Sequence, residues 1–378
     1  MKLKTLLLTP FIVLLCSCSP KIPESVEFEG AILKEQYINT TEQREMIEAD
    51  SILSYVIDNG ANLGEEEKSY PLGVKLSWSA KADTGMRASK YEIALSEEQS
   101  LSDSHILTSK KNEIVVDNLK IGTSYYYQIK AYYKEKAFLS DIYSFDVKDY
   151  GIRTLRVPGV INVRDLGDAH HIKQGLIYRS GQFNYDENEY DAIKSRPTDE
   201  GLYVLNNVLK IKTDIDLRKT ISSFNKDEVA GITSSPIGED VNYVSTPMNY
   251  GNQNIFTQEE NKESIKTFFD TLGNINNYPV IFHCVRGTDR TGALAYVLKA
   301  LCGYSREELY LDYYFSNFSN INSPVLSLPF TSSSFYDSQI NNYDGDTLKE
   351  KTVNYLIDNI GLSDTQINNV INILNILD

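Results

Sequence analysis

The chain has 378 residues, more than one ordinary core accommodates, so at least two folded units are expected. Its 52 acidic and 37 basic residues leave a net charge of -15, which excludes general nucleic-acid binding and obliges any anion site to make its own local positive field. The four cysteines (Cys16, Cys18, Cys284, Cys302) and four histidines form neither a CxxC pair nor a zinc-spaced cluster, so no metal and no cofactor is expected.

The chain opens "MKLKTLLLTPFIVLLCSCSP", two lysines ahead of an apolar run of about ten residues, the layout of a secretory signal and too short for a membrane-spanning helix. Its end, Leu15-Cys16-Ser17-Cys18, resembles a bacterial lipobox. That resemblance implies cleavage before a lipid-bearing cysteine preceded by a small residue. Ser17 fits before Cys18 better than Leu15 fits before Cys16, so residues 1–17 are read as the signal peptide and Cys18 as the lipidation site. The expected location is the bacterial cell envelope, lipid-anchored, periplasmic or surface-exposed. Cys284 and Cys302 then remain as the mature chain's thiols, with no disulfide framework.

Residues 18–69 read as a tether with local structure. Met46, Ile47, Ile52, Leu53 and Val56 have helical spacing, followed by the turn-rich, charged "DNGANLGEEEK".

From Tyr70 the period changes to two. Val74, Leu76 and Trp78 share one face, as do Tyr91, Ile93 and Leu95, then Ile114 and Val116, then Tyr125, Tyr127, Ile129 and Ala131. Short turn-separated runs of this kind imply an all-β sandwich over 70–149. The stretch "NLKIGTSYYYQIKAYY" resembles the fibronectin type III family, with Leu119, Gly122 and Tyr125 at its tyrosine corner and Trp78 on an early strand; the first strand is not placed. A spacer role is expected of such a unit, with protein or glycan contact as the alternative.

Residues 150–378 read as an α/β domain, a mixed sheet flanked by helices. "VIFHC" is a short strand; "GALAYVLKALCG" follows with helical spacing at Leu294, Val297, Leu298 and Leu301 and a capping Gly303. Thr257 with Glu260, and Ser305 with Glu308, mark capping boxes.

Between that strand and helix lies "HCVRGTDRTG", His283 to Gly292. A loop closing onto a helix N-terminus turns successive backbone N–H groups inward and cradles an oxyanion. Gly287 allows the backbone angle this needs, and Gly292 keeps the first helical turn free of bulk. The same donors stabilise a thiolate, making Cys284 a nucleophile. Arg290, six residues on, returns to fork onto a phosphoryl group. Phosphoryl transfer asks for little beyond such positioning and charge stabilisation.

Cys-x5-Arg-Thr-Gly on a strand-loop-helix resembles the protein tyrosine phosphatase superfamily, and within it the bacterial tyrosine/lipid phosphatase branch. "NVRDLGD" (162–168), "GLIYRSGQ" (175–182), "DIDLRK" (214–219), "LDYYFSN" (311–317) and the final "YLIDNIGLSDTQI" are similar to other blocks of that branch. The resemblance implies that Cys284 forms a phosphocysteine. It makes Val285, Arg286, Gly287 and Thr288 the phosphate loop, whose N–H groups, with that of Asp289, bind phosphate alongside Arg290. It implies Thr291 as donor to the sulfur, His283 as a support of the loop, and Asp289 as general acid or as a loop-shaping residue. Asp216 is the second acid candidate, or else the partner of Arg218 or Arg164. Thr288 stands where the branch has Lys, which argues against lipid substrates, and Arg286 either restores that charge or faces solvent. Cys302 is read as core packing, with a resolving thiol for Cys284 as the lesser idea.

The sequence therefore points to a metal-free phosphomonoester hydrolase of protein-tyrosine or dual-specificity type acting on a phosphorylated protein or peptide. A phosphoinositide or inositol phosphate phosphatase, or an inactive phosphate-binding module, is the alternative.

Overall fold

The computed structural model describes residues 21–30, 33, 35–60, 63–185, 193–219, 232–249, 255–319 and 336–376. Cys18, the expected lipidation site, lies outside them. No helix among the described residues is long and apolar enough to cross a membrane. The chain divides into two compact units.

One unit is built on two antiparallel sheets. Strands β1 (Val26–Gly30), β2 (Val74–Ala82) and β5 (Glu113–Val116) form the first, in the order β1-β2-β5. Strands β3 (Lys90–Ser96), β4 (His105–Ser109), β6 (Thr123–Tyr133) and β7 (Lys136–Val147) form the second, in the order β4-β3-β6-β7. The alternation in the sequence sets which side chains turn inward: Leu76, Trp78, Tyr91, Ile93, Leu95, Tyr127, Ile129 and Ala131 are all buried. Trp78 of one sheet meets Tyr91 of the other edge-on at 5.1 Å, so the two inner faces share a core. Gly122, at φ +62°, turns the chain between buried Leu119 and Tyr125. The strand the sequence left unplaced is β1, which pairs antiparallel with β2 in the register Val26–Ala82.

The tether expected over residues 18–69 needs correction, because residues 33–74 belong to the other compact unit. The helical spacing there splits into α1 (Thr41–Ile47) and α2 (Ile52–Asn59), with the Thr40 and Gln43 capping box starting the first; α3 (Glu66–Ser69) follows, and α4 (Asp199–Tyr203) lies farther along the chain. Met46, Val56 and Leu63 are buried in the same apolar cluster as Phe268, Phe282 and Leu294. A helix pair with that much apolar surface is stable only when packed, and here it packs.

That second unit holds a five-stranded sheet: β8 (Arg164–Asp165), β9 (Ile177–Ser180), β10 (Thr213–Asp216), β11 (Asn242–Ser245) and β12 (Val280–His283), in the order β11-β10-β12-β9-β8. Strands β11, β10, β12 and β9 run parallel, and β8 runs antiparallel to β9. β12 sits in the middle, every residue buried, so its C-terminal end opens where strand ends of a parallel sheet conventionally carry sites. Helix α6 (Arg290–Leu301) leaves from that end and is buried along its whole length. Gly303, at φ +90°, stops it as expected. Ser305 and Glu308 form the expected capping box of α7 (Arg306–Tyr314). α5 (Glu259–Leu272) has Gln258 at its N-cap, one residue beyond the Thr257 expected there, and the Gln258 side chain makes no cap bond. Farther on, α8 (Tyr336–Ile340) precedes α9 (Leu348–Tyr355) and α10 (Asp364–Leu374).

Candidate active site

The turn between β12 and α6 is held by its carbonyls. Val285 O accepts from Gln182 N (3.1 Å), and Arg286 O from Asn162 Nδ2 (3.0 Å). Gly287 O accepts from Arg179 Nη2 (2.5 Å), which also lies 3.5 Å from Thr288 O. Asp289 O accepts from Tyr336 Oη (2.6 Å) and from Ala293 N (2.8 Å). In a planar trans peptide the N–H points opposite to the preceding carbonyl. Fastening the carbonyls of residues 285–289 to the surrounding protein therefore turns the N–H groups of residues 286–290 to the inner side of the loop. An oxyanion cradle follows from these outward bonds.

Gly287 has φ +71°, and a Cβ there would come 2.4 Å from Ser180 O. The glycine is needed twice over, for the angle and for the close approach to β9. Asn162, in the left-handed region at φ +58°, is the residue type that tolerates such a backbone while its amide reaches the loop. Gly292 has more room: a Cβ would meet Tyr313 Cδ2 at 3.3 Å.

Cys284 lies at the base of this turn, 3% exposed. Arg290 opens α6 and is buried, its Nη1 3.3 Å from Leu217 O and 3.5 Å from Met248 O, so backbone at the ends of β10 and β11 holds the guanidinium. Asp289 occupies the N-cap of α6, half-buried, and its side chain makes no cap bond to the helix. Val285 is buried; Arg286 has an exposed side chain, the solvent-facing arrangement of the two foreseen. Thr288 and Thr291 are both buried, and neither hydroxyl has a hydrogen-bond partner among the described residues. The expected donation from Thr291 to the sulfur is thus not made in this structure. Both hydroxyls belong to the rare class of buried polar groups left unsatisfied, one within the turn and one in the first turn of α6.

His283 ties the nucleophile's strand to its neighbour. Its Nε2 lies 3.1 Å from Asp214 Oδ1, and its Nδ1 lies 3.9 Å from Asp216 Oδ1 and 3.4 Å from Cys284 O. Asp216 pairs with Arg218, through Nε at 2.9 and 3.1 Å and Nη2 at 2.6 Å, and accepts from Tyr243 Oη at 3.0 Å. Burial alone would raise its pKa; the charge of His283 and the bonds from Arg218 outweigh this and hold it at about 2. Of the two roles foreseen for Asp216, the geometry shows the pairing with Arg218. Arg218 in turn reaches Gln182 and Asn184, so this pair braces the loop's surroundings.

The other partner considered for Asp216, Arg164, belongs to a different cluster. Asp312 of α7 receives Arg164 Nε (3.1 Å), Arg179 Nη1 and Lys299 Nζ (3.6 Å), all four side chains being buried. Burial raises the Asp312 pKa, but the charges of Arg179, Lys299 and Arg164 outweigh it and hold the carboxyl far below the usual range. Burial and Arg179 bring Arg164 down to about 10, still protonated at neutral pH. Three cations around one carboxylate leave a buried positive surplus directly behind the loop carbonyls that Arg179 holds. That is the local positive field an acidic chain needs at an anion site.

Sequence reasoning assigned no role to Arg179, Asp312, Lys299, Asn162 or Tyr336. The first four sit in or beside quoted blocks; a charged residue within a strand or helix was the available signal for Arg179, Asp312 and Lys299, while Asn162, uncharged and in a bend, offered none. Tyr336, fully buried with its pKa raised well above the usual tyrosine range by burial, carried none. Cys302 lies at the C-cap of α6, its thiol pushed up by burial to about 12. A helix rising about 1.5 Å per residue separates it from Cys284 by far more than the roughly 7 Å limit between bridged Cα atoms, so it is no resolving thiol.

Comparison with known proteins matches residues 155–327 to the tyrosine phosphatase family and residues 68–143 to the fibronectin type III domain. No curated protein matches the chain. Among solved structures, the core catalytic domain of the PP-IP phosphatase SIW14 from S. cerevisiae, in complex with citrate, is 22% identical, with 50% of this chain and 93% of that chain covered at a TM-score of 0.29. A structure of the Siw14 catalytic core is 20% identical, covering 50% of this chain and 92% of that one, also at 0.29. Residues 68–143 thus form a fibronectin type III domain, and residues 155–327 a domain matching the tyrosine phosphatase family.

Proposed function

We propose that the chain is a phosphomonoester hydrolase of protein-tyrosine or dual-specificity type, acting on phosphorylated protein outside the cytoplasm and tethered through lipid on Cys18. The observation that carries the chemistry is the fastening of five loop carbonyls away from Cys284, which supports an inward set of N–H donors for a phosphate dianion.

In the first step the Cys284 thiolate attacks phosphorus. The bond to the leaving oxygen breaks, and Asp289 supplies its proton. Arg290 and the loop N–H groups hold the charge on the transferring phosphoryl oxygens. Water then attacks the phosphocysteine, Asp289 takes its proton, and inorganic phosphate leaves with the thiolate restored. Nothing in this sequence needs a cofactor.

The test is turnover of an aryl phosphate in the presence of EDTA. The wild type is expected to release phosphate and to be inhibited by vanadate. Cys284→Ser is expected to abolish turnover while retaining binding, and Arg290→Ala to cost about 100-fold or more, the scale of one lost transition-state donor. Full activity in Cys284→Ser rules the mechanism out. Rates on phosphotyrosine peptide, phosphoserine peptide and a phosphoinositide then rank the substrate classes, with the protein-tyrosine reading requiring the first to exceed the third. The anchor is tested separately by palmitate labelling of Cys18→Ser, which must lose the label.

A further inference from the structure

The fibronectin unit carries a groove lined by cationic side chains. It measures about 700 Å³ and is lined by Lys81, Arg87, Lys110 and Lys111, with Ser79, Asn112 and Glu113 between them. That volume lies in the range of ligand-binding clefts. All four cationic side chains are exposed, and none makes an ion pair among the described residues. Of the acidic groups nearby, Glu113 pairs with Lys75 at 2.7 Å, while Glu27 and Glu29 stand across from Lys81 and Ser79 in the β1–β2 register. On a chain of net charge -15, four such cations around one concavity are a local reversal of sign. Such reversals steer and retain anionic partners.

We propose that this groove docks an extended acidic segment of the phosphatase domain's protein substrate, a reading that rests on the protein-phosphatase function above. Three features choose that occupant. The surface is concave, which suits a narrow chain rather than a flat lipid headgroup layer. Tyr91, the aromatic residue that lines it, is 6% exposed, so no open ring face is offered to a sugar. The cations are spread over β2, the approach to β3 and the β4–β5 turn rather than converging on one point, which fits several carboxylates in a row better than one phosphate.

The experiment uses the full chain and a fluorescein-labelled peptide of alternating Glu and Asp, followed by anisotropy at low salt. The wild type is expected to bind it, and the variant Lys81→Ser, Arg87→Ser, Lys110→Ser, Lys111→Ser to bind about 10-fold or more weakly, as does the wild type at high ionic strength. Aryl phosphate turnover is expected to be equal in the two proteins, and an unchanged Trp78 fluorescence spectrum reports that the variant's sandwich is folded. On a phosphotyrosine substrate joined to an acidic run by a long flexible linker, the variant should raise KM and leave kcat unchanged. Equal peptide affinity in wild type and variant overturns the proposal. So does groove-dependent binding to phosphatidylserine vesicles without peptide binding, which assigns the surface to a membrane. Loss of aryl phosphate turnover in the wild type itself overturns the enzyme reading instead, and the anisotropy result stands apart from it.

Discussion

Asp312→Asn removes the one carboxylate among three buried cations and leaves the side-chain volume almost unchanged. In the wild type, Arg164 Nε lies 3.1 Å and Lys299 Nζ 3.6 Å from its Oδ1, while Arg179 bonds Oδ2. Breaking a buried pair by deleting one partner costs about 3–5 kcal/mol, because the partner's charge stays buried without compensation. Against a total stability of about 5–15 kcal/mol, that is a large fraction. Function falls too, since Arg179 loses the contact that orients it toward the Gly287 and Thr288 carbonyls. The assay is urea unfolding followed by far-ultraviolet circular dichroism, which reports the helices of the phosphatase unit, with fluorescence of the single Trp78 following the sandwich separately. The folded Asp312 titrates below its unfolded value of about 3.9, so its contribution is complete above that pH and fades as the pH falls further. The wild type is therefore expected to lose stability more steeply than the variant between about pH 4 and pH 2. A loss under about 1 kcal/mol at neutral pH, the range of an exposed pair, would refute the reasoning that this cluster is a buried charge device.

Two further substitutions separate positioning from chemistry. Tyr336→Phe deletes the 2.6 Å bond to the Asp289 carbonyl and keeps the ring. One such bond is worth about 0.5–1.5 kcal/mol, so kcat is expected to fall by up to about 10-fold in steady-state assays with an unchanged circular dichroism spectrum. Asp289→Asn removes the proton donor while preserving shape. It should slow esters with poor leaving groups by about 10²–10⁴-fold and an activated aryl phosphate far less. Equal losses on both would mean that Asp289 shapes the loop and carries no proton.

The loop and the sandwich were legible in sequence because both are local patterns. Alternation places Leu76, Trp78, Ile93 and Tyr127 inside with no knowledge of their partners, and Cys284-x5-Arg290 lies within one turn and one helix start. What was not legible depends on contacts distant in sequence. β1 is separated from its partner β2 by three helices that fold with the other unit, so no hairpin spacing announced it. The capping box at Thr257 satisfied the sequence rule, yet α5 begins after Gln258, the one- or two-residue slip usual at helix starts. Asp216 was ambiguous because Arg218 and Arg164 are both nearby on paper; the register of β10 gives it the first, and Asp312 takes the second. Tyr336 lies 52 positions beyond Cys284, and only folding brings its hydroxyl to the loop.

The most direct test of the central claim is rapid acid quench of the wild type during turnover of an aryl phosphate, followed by mass spectrometry of the peptides. The account predicts a phosphoryl adduct on Cys284, absent when vanadate is added first. Turnover at full rate with no adduct on Cys284, or with the phosphoryl group on another residue, would contradict it.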